Sequence, residues 1–210
     1  MSSKHKALTS AVAFALAFTS GVAIAADDAA IPSRWKLQEI RYSHNAFTTA
    51  YDCDSAAHKI KAILVAAGAH PDTHVRASGC PSNRPSRNFF VTITTAIAVP
   101  AADMKESNSD KSREELLKRL GSKAQISSAE FPASWKSVEL SKERRLDIRP
   151  GDCELVEGLS KRVFPKLGIK IEEARITCTP NQLGLQPPQL KVSVLMPIKS
   201  PDVSEAGKTG

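Results

Sequence analysis

Most of the short signatures that announce an activity are missing from this chain of 210 residues. It has no Cys-x-x-Cys, and no spacing of its four cysteines matches a haem or zinc signature. It has no Gly-x-Ser-x-Gly, no papain-like cysteine context and no penicillin-binding set, which removes the hydrolases that carry a local motif. A glycine-rich phosphate loop is missing too. Paired carboxylates of the glycosidase kind leave no linear trace, because any two acids can meet in space. Aromatic residues are scarce at 5%, so a core here leans on Ile, Leu, Val and Ala. Small aliphatic cores of that kind commonly take a covalent staple.

Charge of one sign is not concentrated anywhere. Segment 26–100 carries 8 basic and 6 acidic residues, 101–130 carries 6 of each, and 131–210 carries 13 and 10. A nucleic-acid binder gathers its basic residues on one face or run, so specific nucleic-acid binding is not expected. Long apolar runs are missing beyond the first 25 residues, so no transmembrane span is expected after that point. The start of the chain is different. Lys4, His5 and Lys6 precede an apolar run from Ala7 to Phe18, and Ala23-Ile24-Ala25 supplies a small-x-small cleavage pattern. Residues 1–25 therefore read as a signal peptide, and the expected compartment is the periplasm or the exterior. Its removal takes Lys4 and Lys6 and no acid, so the net charge of +7 becomes +5.

What the chain does have is a figure made twice. Asp52-Cys53 opens a helical pattern, Gly68 closes it, and a strand-like run ends in Cys80. One hundred residues on, Asp152-Cys153 opens, Gly168 closes and Cys178 completes the figure. The lead-ins Ile31-Pro-Ser-Arg-Trp35-Lys36 and Phe131-Pro-Ala-Ser-Trp135-Lys136 match in register. A match at fixed period is the strongest architectural signal a single sequence offers.

In the first unit, Trp35–Tyr42 and Ala46–Tyr51 read as one bulged strand or two short ones. Ala56, Ile60, Ile63, Leu64 and Ala67 share one helical face, Gly68 is the left-handed stop, and Thr73–Ser78 and Phe89–Val99 return as strands. In the second, Trp135–Leu140 and Arg144–Ile148 are strand candidates. A helix over 153–167 follows, with Pro165 expected to kink or shorten it. Ile169–Thr177 and Leu190–Met196 are the return strands. Asp52 and Asp152 read as helix caps, and Trp35 and Trp135 as paired core anchors. The predicted fold is α+β: a tandem duplication of a β-α-β-β unit, one helix packed on an antiparallel sheet, one disulfide per unit. The divisions are a signal peptide 1–25, a first repeat 26–100, a polar linker 101–130 with a short surface helix over 112–120, a second repeat 131–197 and a polar tail 198–210.

Geometry selects among the three pairings that four cysteines permit. A helix of about 15 residues spans about 22 Å, and about seven strand residues cover a similar distance. A strand running back along its helix brings Cys80 to Cys53 and Cys178 to Cys153. In an oxidising compartment that is a disulfide framework, each bridge worth about 3 kcal/mol.

The candidates for chemistry are few. His70, Asp72 and His74 could offer ligands to a divalent ion, but Pro71 forbids the helix on which a His-x₃-His spacing is informative. They read as polar turn residues, and no metal or other cofactor is expected. Cys53 and Cys153 begin helices, where a free thiol would be activated, yet they read as structural. The loop Pro81–Asn88 places Arg84 and Arg87 among prolines and serines, a pattern that could contact anionic sugars, phosphates or a partner's carboxylates, though surface charge is the norm and it reads first as a solvated turn. The expected function is a non-catalytic exported protein that binds an envelope protein or an anionic glycan. The alternatives are a thiol- or metal-linked enzyme using Cys53 or His70/His74, and a purely structural envelope factor.

Overall fold

The structure, a computed structural model, describes residues 30–81, 84–104, 110–120 and 126–198. The signal peptide read at 1–25 and the tail beyond Ile198 lie outside the described residues. The strands are β1 (Ile31–Asn45), β2 (His74–Ser78), β3 (Asn88–Pro100), β4 (Phe131–Glu139), β5 (Lys170–Arg175) and β6 (Gln189–Pro197). The helices are α1 (Cys53–Ala66), α2 (Asp110–Leu120), α3 (Cys153–Arg162) and α4 (Phe164–Leu167). All six strands join one antiparallel sheet in the order β2-β3-β1-β4-β6-β5. Each half runs strand, helix, strand, strand, and the order reads the same outward from the central β1/β4 pair. That central junction is short, Ile31↔Ala133 to Ser33↔Phe131.

One face of the sheet carries α1, α3 and α4 over a single core. Ile60, Ile63 and Leu64 of α1 meet Leu155, Leu159 and Phe164 of the other half above Ile93, Val192 and Val194. Fully burying an aliphatic side chain of this size contributes about 1.5–3 kcal/mol, so the shared core joins the halves more strongly than the central ladder does. Gly68 shows how closely they meet. It ends α1 at φ +86, and a Cβ built on it would lie 3.2 Å from Cβ of Val194 on β6. Only glycine suits both the left-handed backbone and that approach.

Two segments read as strands are not strands. Ala46–Tyr51 leaves the ladder after Asn45, and Tyr51 keeps only an isolated bridge to Ser86. The amides of Phe47 and Thr48 are instead taken by the Glu154 carboxylate. Arg144–Ile148 holds a 3-10 turn, 144–146, which follows another at 140–142, with Asp147 left-handed at φ 43. The reason lies across the sheet. β6 starts at Gln189, directly after Pro187 and Pro188, which have no N–H, so no strand lies opposite Arg144–Ile148 in the register that ends at Glu139↔Lys191. Leu140 and Leu146 still point into the core. The expected kink is present: α3 stops at Arg162, and Pro165 sits in the separate turn α4.

The linker helix is longer and more involved than a surface spacer. Leu116, Leu117 and Leu120 of α2 pack on Leu37, Ala96 and Ile126 beside Trp35, covering β1 and β3 on the face opposite α1. Arg119 of α2 pairs with Glu39 of β1. Trp35 and Trp135 also lie on this second face, both only partly buried, around Ala98, Ala133 and Leu195. They are anchors of a small satellite cluster rather than of the main core.

Candidate interaction surface at the disulfide-bonded end

Both disulfides sit at the same end of the molecule. Cys53 bonds Cys80 and Cys153 bonds Cys178, with Cα separations of 5.9 and 5.6 Å, and each ties the first residue of a helix to the chain that follows its return strand. The side chains between the bridges cross from one half to the other. Tyr51 donates its hydroxyl proton to Asp152 Oδ1 at 2.8 Å, and Lys59 Nζ of α1 lies 2.7 Å from Asp152 Oδ2. The Arg149 amide donates to the same oxygen at 2.7 Å. Glu154, in the first turn of α3, accepts from the amides of Phe47 at 2.9 Å and Thr48 at 3.0 Å. Arg162 donates to the Ser43 carbonyl.

The two matched aspartates therefore do different work. Asp52 is a cap: its exposed carboxylate accepts from Ser55 N at 2.8 Å, and the Ser55 hydroxyl first and that amide second hold it below the ordinary carboxylate range. Asp152 makes no such bond to α3. It is 3% exposed and binds the other half's lysine and tyrosine. A buried carboxylate needs that pairing, because an unpaired charge there would cost several kcal/mol, about 3–5 by analogy with broken buried pairs. Burial first, and the Asp152 charge second, push the Tyr51 phenol well above its ordinary pKa. It stays a neutral donor.

His44 lies beside this network, 2% exposed, stacked on Phe89 at 4.6 Å and close to Gly158 of α3. Burial lowers its pKa to about 4, opposed in part by Glu154 and reinforced by Arg162. Its Nε2 and the Tyr42 hydroxyl are buried without a hydrogen-bond partner among the described residues.

Around the locked network, apolar side chains face outward. Phe47 is 60% exposed, Leu183 68% and Leu185 fully exposed. Thr48 donates its hydroxyl to the Thr179 carbonyl, and a Cβ on Gly151 would touch both Thr49 and Leu183, so the 46–50 and 179–185 loops lie side by side. The groove between them, lined by Thr48, Gly151, Glu154, Thr177, Thr179 and Gln182, encloses about 220 Å³ counting space open to solvent. It is an open groove between two loops rather than an enclosed cavity.

Of the residues singled out from sequence, Arg84 and Arg87 belong to this end. The Ala46 amide donates to the Arg87 carbonyl at 2.9 Å, which sets Arg87 next to Phe47, and both arginines are exposed. The histidine turn is elsewhere. His70 Nδ1 accepts from the Asp72 amide at 3.2 Å and lies 3.7 Å from the Asp72 carboxylate, and the ring packs edge-on against Trp35 at 4.8 Å. Burial lowers the His70 pKa, countered by Asp72. His74 lies on edge strand β2. No group of three metal-ligating side chains assembles among the described residues. Sequence reading missed Phe47, Leu183, Leu185 and Glu154. The available signal for Phe47 was a lone aromatic flanked by Ala and Thr where a strand should have continued.

No protein-family model, curated protein or solved structure matches this chain.

Proposed function

We propose that this chain is an exported, periplasmic or secreted protein that binds an envelope component without catalysing a reaction, and that it binds through the disulfide-bonded end. The observation that carries the reading is Phe47. Its amide is fixed by Glu154 from the other half, while 60% of the residue stays exposed. A residue whose backbone is held while its side chain is left in water loses less entropy on binding, which is how contact surfaces are preorganised. The flanking leucines and arginines extend the patch, and aromatic and arginine side chains are the ones that most often dominate binding energy.

We also infer that the two halves derive from tandem duplication of a β-α-β-β unit. The reading is supported by the shared element order, by Trp35 and Trp135 in matched positions, and by bridges closing over 27 and 25 residues. On this reading the scaffold repeats, and the binding surface arises where loops of the two copies diverge.

The test places a photo-reactive amino acid at Phe47, at Leu185 and, as a control, at Asp103 beyond the far end of β3, in cells exporting the protein. The proposal expects discrete crosslinked species from the first two positions, competed away by excess unlabelled protein, and none from Asp103. Equal or non-competed labelling at all three positions contradicts it.

A further inference from the structure

Resting on that reading, we propose that the bound component is an acidic segment of another protein, whose carboxylates are taken by Arg84 and Arg87 while an adjacent apolar side chain covers Phe47. The ion pairs among the described residues use Arg34, Arg41, Arg119, Arg149 and Arg175. Arg84 and Arg87, like Arg76, Arg144, Arg145 and Arg162, pair with no carboxylate there, and of these Arg84 and Arg87 share the loop that meets the Phe47 segment. The described backbone around the two arginines is tied at several points. Tyr51 and Ser86 exchange two backbone hydrogen bonds at 2.9 and 2.7 Å, Arg84 N donates to Pro81 O at 3.2 Å, and Cys80 is bonded to Cys53.

Three acids of this end are engaged. Asp52 caps α1, Asp152 is held by Lys59 and Tyr51, and Glu154 accepts two amides. Two exposed arginines sit on the loop whose Arg87 carbonyl takes the Ala46 amide, next in the chain to the exposed Phe47. Guanidinium binds carboxylate through paired N–H donors, a geometry that discriminates against neutral amides. The apolar part of the patch decides between a polypeptide and a glycan. Phe47, Leu183 and Leu185 are exposed on the two adjacent loops of the same end and offer aliphatic and aromatic surface without polar side-chain atoms. A polyanionic saccharide would leave that surface in water, whereas a protein segment that mixes Asp or Glu with Leu, Ile or Phe covers both.

The experiment selects random short peptides from a displayed library on protein recovered after export, then measures the enriched peptides in solution. Expected is a consensus with acidic residues beside an apolar one. Replacing its acids by the matching amides should weaken binding more than about tenfold, and so should the R84A/R87A double variant. Phe47→Ala should weaken it similarly. All three substituted residues are exposed, so the variants fold, and an unchanged melting temperature confirms that the loss is one of contact. A neutral or basic consensus, unchanged affinity in R84A/R87A, or tighter binding of a sulfated oligosaccharide at the same arginines overturns the proposal. If crosslinking from Phe47 still captures a saturable partner in that event, the binding reading survives and only the acidic-segment inference falls.

Discussion

Lys59 and Asp152 meet at 2.7 Å across the two halves, the lysine on α1 and the aspartate beside the first residue of α3. The lysine side chain is 23% exposed and the aspartate side chain 5%. This pair, with Tyr51, joins the halves at the end away from the short β1/β4 ladder. Lys59→Met should cost about 3 kcal/mol, because it leaves the Asp152 charge buried, and the double variant K59M/D152N should recover part of that loss. Chemical denaturation of the two single variants and the double variant checks this. Additive losses would show that the contact does not couple the halves.

His44 gives the protein an acid limit. Its folded pKa of about 4 lies below the ordinary value of 6.5, so between those values the unfolded chain holds the proton more readily than the folded one. Its contribution is fully present above about pH 6.5 and is lost as pH falls toward about 4, with a slope approaching 1.4 kcal/mol per pH unit. Glu154 and Arg162 face the ring, with Tyr51 beside it. Denaturation midpoints of the wild type and His44→Phe across that window should show a flatter profile in the variant.

Tyr42 carries a buried hydroxyl with no partner among the described residues, and burial raises its pKa strongly. Removing the oxygen leaves nothing unpaired. Tyr42→Phe should be neutral or stabilising by up to about 1 kcal/mol, whereas Tyr51→Phe, which strips a donor from Asp152, should cost about 1.5–3 kcal/mol. Opposite results for the two tyrosines would overturn the hydrogen-bond assignment.

Gly68→Ala should destabilise by more than about 1 kcal/mol, since it combines strain at φ +86 with the contact on Val194. Gly168 has φ +75 but open space around it. Gly168→Ala should therefore cost less, and thermal melts of the pair separate backbone strain from packing.

The sequence made α1 legible because its face is regular: Ala56, Ile60, Ile63, Leu64 and Ala67 are all buried, and the helix ends at Gly68 as read. The cysteine pairs were legible because helix rise and strand rise leave them little freedom. The repeat itself hid Asp152, since likeness to Asp52 suggested a cap where the structure has a buried cross-half pair. The strand expected over Arg144–Ile148 failed because its partner is cut short by Pro187 and Pro188, a long-range fact that local propensity does not carry. The role of α2 depends on which sheet face needs covering, and Phe47 on a carboxylate 107 positions away. Pairings of that range are set by topology, not by neighbours in the chain.

The central claim is that Glu154 holds the 46–50 loop so that Phe47 is fixed for contact. Amide hydrogen exchange at Phe47 and Thr48, read by NMR in the wild type and Glu154→Ala, tests it most directly. The account predicts slow exchange at both amides in the wild type despite the exposed setting, and release of both in the variant while the amides of α1 stay protected. Fast exchange in the wild type, or no change in the variant, would contradict it.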